Sequence, residues 1–206
     1  MDMSQLYLFI AASLVFVAVP GANTVYIVTC AIDQGRRAGI LSAVGVETGT
    51  LVHVAIAVAG LAAVVAAFPL ALTAIKIAGG AYLLYLGIRV LRRRSTAEEP
   101  MRAAPSSWRV FRDGLVVNVL NPKVALFFLA FLPQFVTAQS AARPQMLLLG
   151  CVFFALALLL DLIYAVAGGA LGGWLSQRPR VREGQRYAVA AVYLVLGGWA
   201  SLAGVT

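Results

Sequence analysis

The sequence predicts an all-α integral membrane protein of six transmembrane helices, arranged as two inverted three-helix repeats. Three observations carry that reading. Of 206 residues, 62% are apolar and 12% charged, about half the charged share of a soluble domain, and the mean hydropathy is +0.91. Six apolar stretches are each long enough to cross a hydrocarbon core about 30 Å thick, which takes about 20 helical residues. The basic residues gather in the gaps on one side of those stretches. This composition excludes a disordered chain, a collagen-like repeat and a disulfide-knit secreted domain. It disfavours a soluble globule, whose helices need a polar face for water. The formal net charge of +8 would suit nucleic acid only on a water-facing surface. Here it lies in short gaps between apolar runs, so membrane topology accounts for it and no nucleic-acid partner is expected.

The spans fall at residues 4–30, 38–67 and 70–91, then, after a polar stretch at 92–113, at 114–137, 144–174 and 187–205. The second and fifth exceed a perpendicular crossing and call for tilt or a break. Strands of an outer-membrane barrel would alternate apolar and polar residues; residues 152–160 do not alternate, and helices satisfy their own backbone in lipid. The first span is not a cleaved signal peptide by sequence: Asp2 stands at its start, and the first basic residue, Arg36, follows the apolar run.

Arginines set the orientation. Arg36 and Arg37 lie between spans one and two. Arg92, Arg93, Arg94, Arg102, Arg109 and Arg112 lie between three and four, and Arg178, Arg180, Arg182 and Arg186 between five and six. The other side carries only Arg143. The three arginine-bearing gaps therefore face the cytoplasm and both termini face outward. Pro100, Pro105, Ser106 and Ser107 mark 92–113 as a flexible linker, whose basic residues set topology and can also touch anionic membrane lipid. Cys30 and Cys151 fall on opposite sides of the membrane, too far apart for a disulfide, which needs Cα atoms within about 7 Å. Both read as packing residues.

Three spans on each side of the linker suggest duplication within a single transporter domain, with residues 1–91 and 114–206 as the repeats. Tyr82-Leu83 and Gly87 match Tyr193-Leu194 and Gly198. Val58-Ala59-Gly60 matches Val166-Ala167-Gly168, and Pro20 matches Pro122. An odd number of spans per repeat forces the halves into opposite orientation, as in many secondary transporters.

Ionisable residues inside a span are costly and normally face protein. Glu47 and His53 in span two, Lys76 in span three, Lys123 in span four and Asp161 in span five qualify. Lys76 and Lys123 lie near span ends, where a long side chain can equally snorkel to the interface. Glu47, His53 and Asp161 lie deeper, where the alternative to a transport role is a hydrogen bond between helices. Glu47 and His53 are six positions apart, so they point about 120° from one another. Gly45 and Gly49 flank Glu47 at a spacing that admits another backbone and would bury the acid against protein. Gly168-Gly169 and Gly172-Gly173 offer similar packing, within the chain or across a homodimer.

Two proline motifs are the strongest local signals: Pro20-Gly21-Ala22-Asn23, and Asn121-Pro122-Lys123 with Asn118 three residues earlier. Proline removes a helix hydrogen bond and clashes with the carbonyl four residues back, so both helices should break or kink. The freed backbone groups then need partners, a ligand or simply close packing. A half-helix starting after a break presents amides and a positive dipole end to an anion, and Asn23 and Asn121 add side-chain donors and acceptors.

At these residues the chain resembles the LysE/RhtB amino-acid exporters (the lysine exporter and homoserine-threonine efflux superfamily). Pro20 to Asn23 is similar to that family's Pro-Gly-Pro-Asn motif, with Ala22 in place of its second proline. Gly-Arg-Arg-Ala-Gly at 35–39, followed by Gly45, Gly49 and His53, resembles its second span. Gly-Gly-Ala-Tyr-Leu-Leu-Tyr-Leu-Gly at 79–87 resembles the end of its third. Asn-Pro-Lys-Val-Ala-Leu-Phe-Phe-Leu-Ala-Phe-Leu-Pro-Gln-Phe at 121–135 resembles its fourth. The resemblance implies six helices in two inverted triplets, the bacterial inner membrane, and export of amino acids or small derivatives driven by proton motive force.

The expected substrate is then a zwitterion. Its carboxylate would sit near Pro20, Gly21, Asn23, Asn118, Asn121, Pro122 and Lys123, and its ammonium near Glu47 or Asp161. Proton coupling would fall to Glu47 first and Asp161 second, with His53 as a relay. Two deep acids beside two deep lysines favour neutral amino acids such as threonine, homoserine or leucine. Rival readings are a metal-ion exporter, for which one histidine supplies too few ligands, and a channel, which would pass current without coupling. An enzyme is not expected, since no Ser-His-Asp or HExxH arrangement occurs. No cofactor or bound metal is implied.

Overall fold

The computed structural model describes residues 3–59, 106–136 and 142–175, together with scattered helical positions within 77–91 and 187–195. Lys76, residues 92–105, the arginines at 178–186 and most of the third and sixth spans lie outside the described residues. Among the described residues the chain is all-helical, with no strand.

The stretch expected as one span at 4–30 is two helices, α1 (Met3–Ala18) and α2 (Ala22–Gln34), bent by 55°. Pro20 causes the break, having no amide to continue α1. Gly21 follows in extended backbone and caps α2 without a side chain. At the far end of α2 the chain reverses at Gly35, whose φ of +88° only glycine adopts without strain. Helix α3 (Arg36–Val58) starts at once.

Helix α4 (Ser107–Val119) begins seven residues ahead of the apolar run at 114. Ser106 is its N-cap, accepting the Arg109 amide at 3.3 Å. The end of the 92–113 stretch, Ser107 included, is therefore helix rather than linker. The span then breaks at Leu120-Asn121 and restarts as α5 (Pro122–Leu126), at an overall bend of 48°. Beyond α5 it loosens into a π-helical turn (Phe127–Phe131) and tightens into a 3₁₀ turn (Leu132–Phe135). Pro133 lacks the amide that would close an α-turn on Leu129, and the ladder rewinds around it. Helix α6 (Ala142–Leu175) follows. Its 34 residues make about 51 Å, well beyond the hydrocarbon thickness, so it must tilt or protrude. By length and composition α3 and α6 each suffice to cross a membrane, as do the two broken pairs.

Small residues set how closely the helices approach. A Cβ on Gly45 would collide with the Phe111 carbonyl, and one on Gly49 would lie 2.8 Å from Asn118 Cβ. Across the same seam a Cβ on Gly114 would lie 2.8 Å from the Ser42 carbonyl. The Gly45/Gly49 pair thus admits the backbone of α4, and Glu47 between them is buried against protein, as the spacing suggested. On α6, Gly168, Gly169 and Gly172 receive α2 and the start of α3 within the same chain, while Gly173 faces open space. Cys30 is buried, Cys151 is exposed, and neither forms a disulfide among the described residues.

The core forms two clusters. Tyr26, Ile27, Cys30, Ala43, Val46, Val110, Val117 and Ala165 knit α2, α3, α4 and α6. Phe9, Val54, Ala57, Val124, Phe127, Phe128, Leu132, Leu149, Phe153 and Ala157 knit α1, α3, α5 with its continuation, and α6. Along α3 and α6 the buried acids Glu47 and Asp161 fall between the two. Large apolar side chains such as Leu8, Val15, Leu51, Leu159 and Ile163 are exposed, as suits helices that meet acyl chains.

Candidate functional site

The two proline breaks meet. Asn121 Nδ2 donates to Asn23 Oδ1 at 2.8 Å, joining the start of α5 to the start of α2. The Asn121 side chain also caps its own helix, accepting the Lys123 amide at 3.0 Å.

Each proline leaves one carbonyl without its helical amide, and a basic side chain from the opposite broken span or its neighbour answers it. Pro20 would have served Phe16. Instead Lys123 Nζ donates to the Phe16 carbonyl at 2.8 Å and to that of Val19 at 2.7 Å, and lies 4.5 Å from the centre of the Phe16 ring. A cation at the last turn of α1 also suits the helix dipole. The Tyr164 hydroxyl donates to the neighbouring Ala18 carbonyl at 3.3 Å. Pro122 would have served Asn118. There, with its proton on Nε2, His53 donates to the Asn118 carbonyl at 3.1 Å, beside the Asn121 amide at 2.9 Å. The His53 ring stacks on Phe128 at 5.9 Å.

A cavity of about 30 Å³ opens between the breaks, lined by Gly21, Asn23, Thr24, Glu47, Thr50, Asn121, Lys123 and Asp161, with Phe16, Phe153 and aliphatic groups as its apolar wall. That volume holds one or two waters by the usual criterion of at least about 10–15 Å³ for each. Glu47 and Asp161 are 2% and 3% exposed, so both acids are withdrawn from solvent. Asp161 and Thr50 stand within reach of the Glu47 carboxyl, and Lys123 is close enough to Asp161 for direct electrostatic attraction. Glu47 Oε2 and Asn118 Oδ1 are buried and have no hydrogen-bond partner among the described residues. Helix α2 starts at the cavity with no side-chain cap from Gly21, whereas at the start of α5 the Asn121 side chain meets the Lys123 amide.

Of the residues singled out in the sequence, Gly21, Asn23, Glu47, Asn121, Lys123 and Asp161 converge on this cavity. Pro20 and Pro122 shape it from the breaks. Asn118 and His53 do not line it. Asn118 is fully buried behind it, its Nδ2 donating to Thr50 Oγ1 at 3.0 Å. His53 points elsewhere around α3 from Glu47, as their angular separation requires. The sequence reading missed Thr24, Thr50, Phe16, Phe153 and Tyr164. Thr50 was recoverable, because three positions beyond Glu47 is nearly the same helix face. Phe16 was recoverable as the residue four before Pro20. Among the described residues no three His, Cys, Asp or Glu side chains cluster closely enough to hold a metal ion.

Comparison with known proteins places the chain in a family. The family model for LysE type translocators matches residues 14–203. The chain is 27% identical over 179 residues to a homoserine/homoserine lactone efflux protein of Salmonella typhimurium, covering 86% of each sequence. It is 30% identical to the uncharacterized membrane protein YrhP of Bacillus subtilis, over 80% of this chain and 84% of that one. An uncharacterized membrane protein of Pseudomonas aeruginosa is 27% identical over 96% of this chain and 94% of its own length. No solved structure matches. With the family model spanning both proline breaks and the acids between them, the chain belongs to the LysE type translocators.

Proposed function

We propose that this protein is a proton-coupled secondary transporter that exports small neutral amino acids, of the homoserine, threonine or leucine kind, across the bacterial inner membrane. The observation that carries the reading is the Asn23–Asn121 bond, which draws two broken helices together beside two buried acids. The substrate carboxylate docks at the uncapped start of α2, held by its first amides and by the Asn23 and Asn121 side chains, with the Lys123 charge nearby. The substrate ammonium faces Glu47 and Asp161. Proton exchange falls to these two acids, Glu47 first, since adjacent carboxyls in a cavity of low dielectric can share and pass one proton. His53 acts through the Asn118 carbonyl rather than on the substrate. The efflux activity named for the Salmonella relative supports the substrate class.

The cavity is far smaller than the roughly 300–1,000 Å³ of ordinary ligand sites. Loading therefore requires the helices to part at Pro20 and Pro122. The arrangement behind this movement is a single domain of two inverted triplets, 1–91 and 114–206, joined by a cytoplasmic linker within 92–113. Both termini lie outside the cytoplasm, and the unit can pair as a homodimer.

The test uses inside-out vesicles and a panel of radiolabelled neutral and basic amino acids, with proton movement followed in parallel. The expected result is proton-coupled uptake of one or more neutral amino acids, abolished by Glu47→Gln and weakened by Asp161→Asn. Coupled uptake that survives both substitutions overturns the proton assignment. Current without counter-movement of protons makes the protein a channel.

A further inference from the structure

The cavity has one wall the transport reading leaves unused. Thr50 lies three residues after Glu47 on α3 and lines the same space. Its hydroxyl oxygen is already occupied, because Asn118 Nδ2 donates to it at 3.0 Å. A hydroxyl carries one proton. With its oxygen engaged by Asn118, the Thr50 hydroxyl keeps its proton for a second partner, and the Glu47 carboxyl, three residues back and lining the same cavity, lies within reach. Asn118 is itself closely packed. It is fully buried, a Cβ on Gly49 would already press on it, and its carbonyl is held by His53 and the Asn121 amide. A continuous file therefore runs from the break at Pro122, through Asn118 and Thr50, to the acid.

We propose that Thr50 is the positioning residue for Glu47, with Asn118 fixing the direction of its hydroxyl, so that movement at the α4–α5 break alters how Glu47 exchanges its proton. This inference rests on the proton-coupling role given to Glu47 above. Among the described residues the charged groups facing Glu47 are Asp161 from α6 and Lys123 from α5; α1, α2 and α4 present no titratable side chain to the cavity. Any change caused by Thr50 is thus read with the same two neighbours present in every variant. The file also explains why a fully buried asparagine stands four residues before Pro122. Its backbone oxygen registers the break while its side chain reaches the acid through Thr50.

The experiment is a pH titration of the purified full-length protein in lipid nanodiscs by infrared difference spectroscopy, which needs no substrate. The protonated-carboxyl band lost in Glu47→Gln is assigned to Glu47. Thr50→Val keeps the branched shape but removes the hydroxyl. It should shift that band's frequency and displace its titration midpoint by about one pH unit, tenfold in proton concentration, as expected for one hydrogen bond to a charged group. Thr50→Ser should restore both. Asn118→Leu should reproduce the valine effect, and the Thr50→Val/Asn118→Leu double variant should go no further than either single one. A Glu47 band indifferent to Thr50→Val, or equally disturbed by valine and serine, overturns the inference alone. A protein with no titrating Glu47 band overturns the proton-coupling reading as well.

Discussion

The Lys123 ammonium occupies the place of the hydrogen-bond donor that Pro20 lacks: its Nζ lies 2.8 Å from the Phe16 carbonyl, the oxygen a residue-20 amide would have served. The broken end of α1 is thus finished by a side chain from α5, and the two breaks depend on one another. Lys123→Met should leave the Phe16 and Val19 carbonyls unmet and lower stability by roughly 1–3 kcal/mol. In a Pro20→Ala background the Phe16 carbonyl regains an amide, so the same change should cost markedly less. Thermal unfolding of the four proteins in one detergent measures the difference, and equal losses in both backgrounds would refute the capping role.

The hydrogen bond from the Asn121 side chain to that of Asn23 makes a second coupled pair. Asn23→Ala and Asn121→Ala should each reduce transport about tenfold, the value of one well-made hydrogen bond to a charged ligand or partner. Because both changes break the same bond, the double variant should fall little below the single ones. Fully multiplicative losses in vesicle uptake would mean that the two residues act independently.

Packing at the glycine seam should be sharply position-dependent. Gly45→Ala drives a methyl into the Phe111 carbonyl and should destabilise by roughly 1–3 kcal/mol, as overpacking does. Gly173→Ala meets nothing within 4 Å and should be neutral or gain up to about 1 kcal/mol from helix propensity. Unfolding temperatures of the two variants, compared side by side, check both signs.

His53 is held by the Asn118 carbonyl and the Phe128 ring, outside the cavity. His53→Gln keeps a donor and should preserve proton-coupled uptake. His53→Phe keeps the stacking but loses the donor, and should cost about 1 kcal/mol of stability. Loss of proton movement in the glutamine variant, with uptake intact, would instead make the ring a proton relay.

The residues of the site that were legible in the sequence each break a rule of lipid-embedded helix. Pro20 and Pro122 interrupt the hydrogen-bond ladder, Gly45 and Gly49 thin a helix face, and Glu47 and Asp161 put charge where it has no solvent. Such departures show in a linear string, since helix period and bilayer thickness are known beforehand. Where helix α4 starts was less legible, because Ser106 caps it from within a stretch whose composition suits a linker. The rewinding at Pro133 was hidden in an apolar run with no other signal.

Taken alone, the amino-acid order determined the apolar all-helical class, the two proline breaks and the candidate residues, all of which follow from local chemistry and periodicity. Only the tertiary structure decided the partners: that Lys123 answers Phe16, that His53 answers Asn118 rather than facing the cavity, and that the Asn118 side chain reaches Thr50. Those pairings join residues 65 to 107 positions apart, and they are set by how closely glycines let the helices cross. That distance is a property of two packed surfaces and of neither strand of sequence by itself.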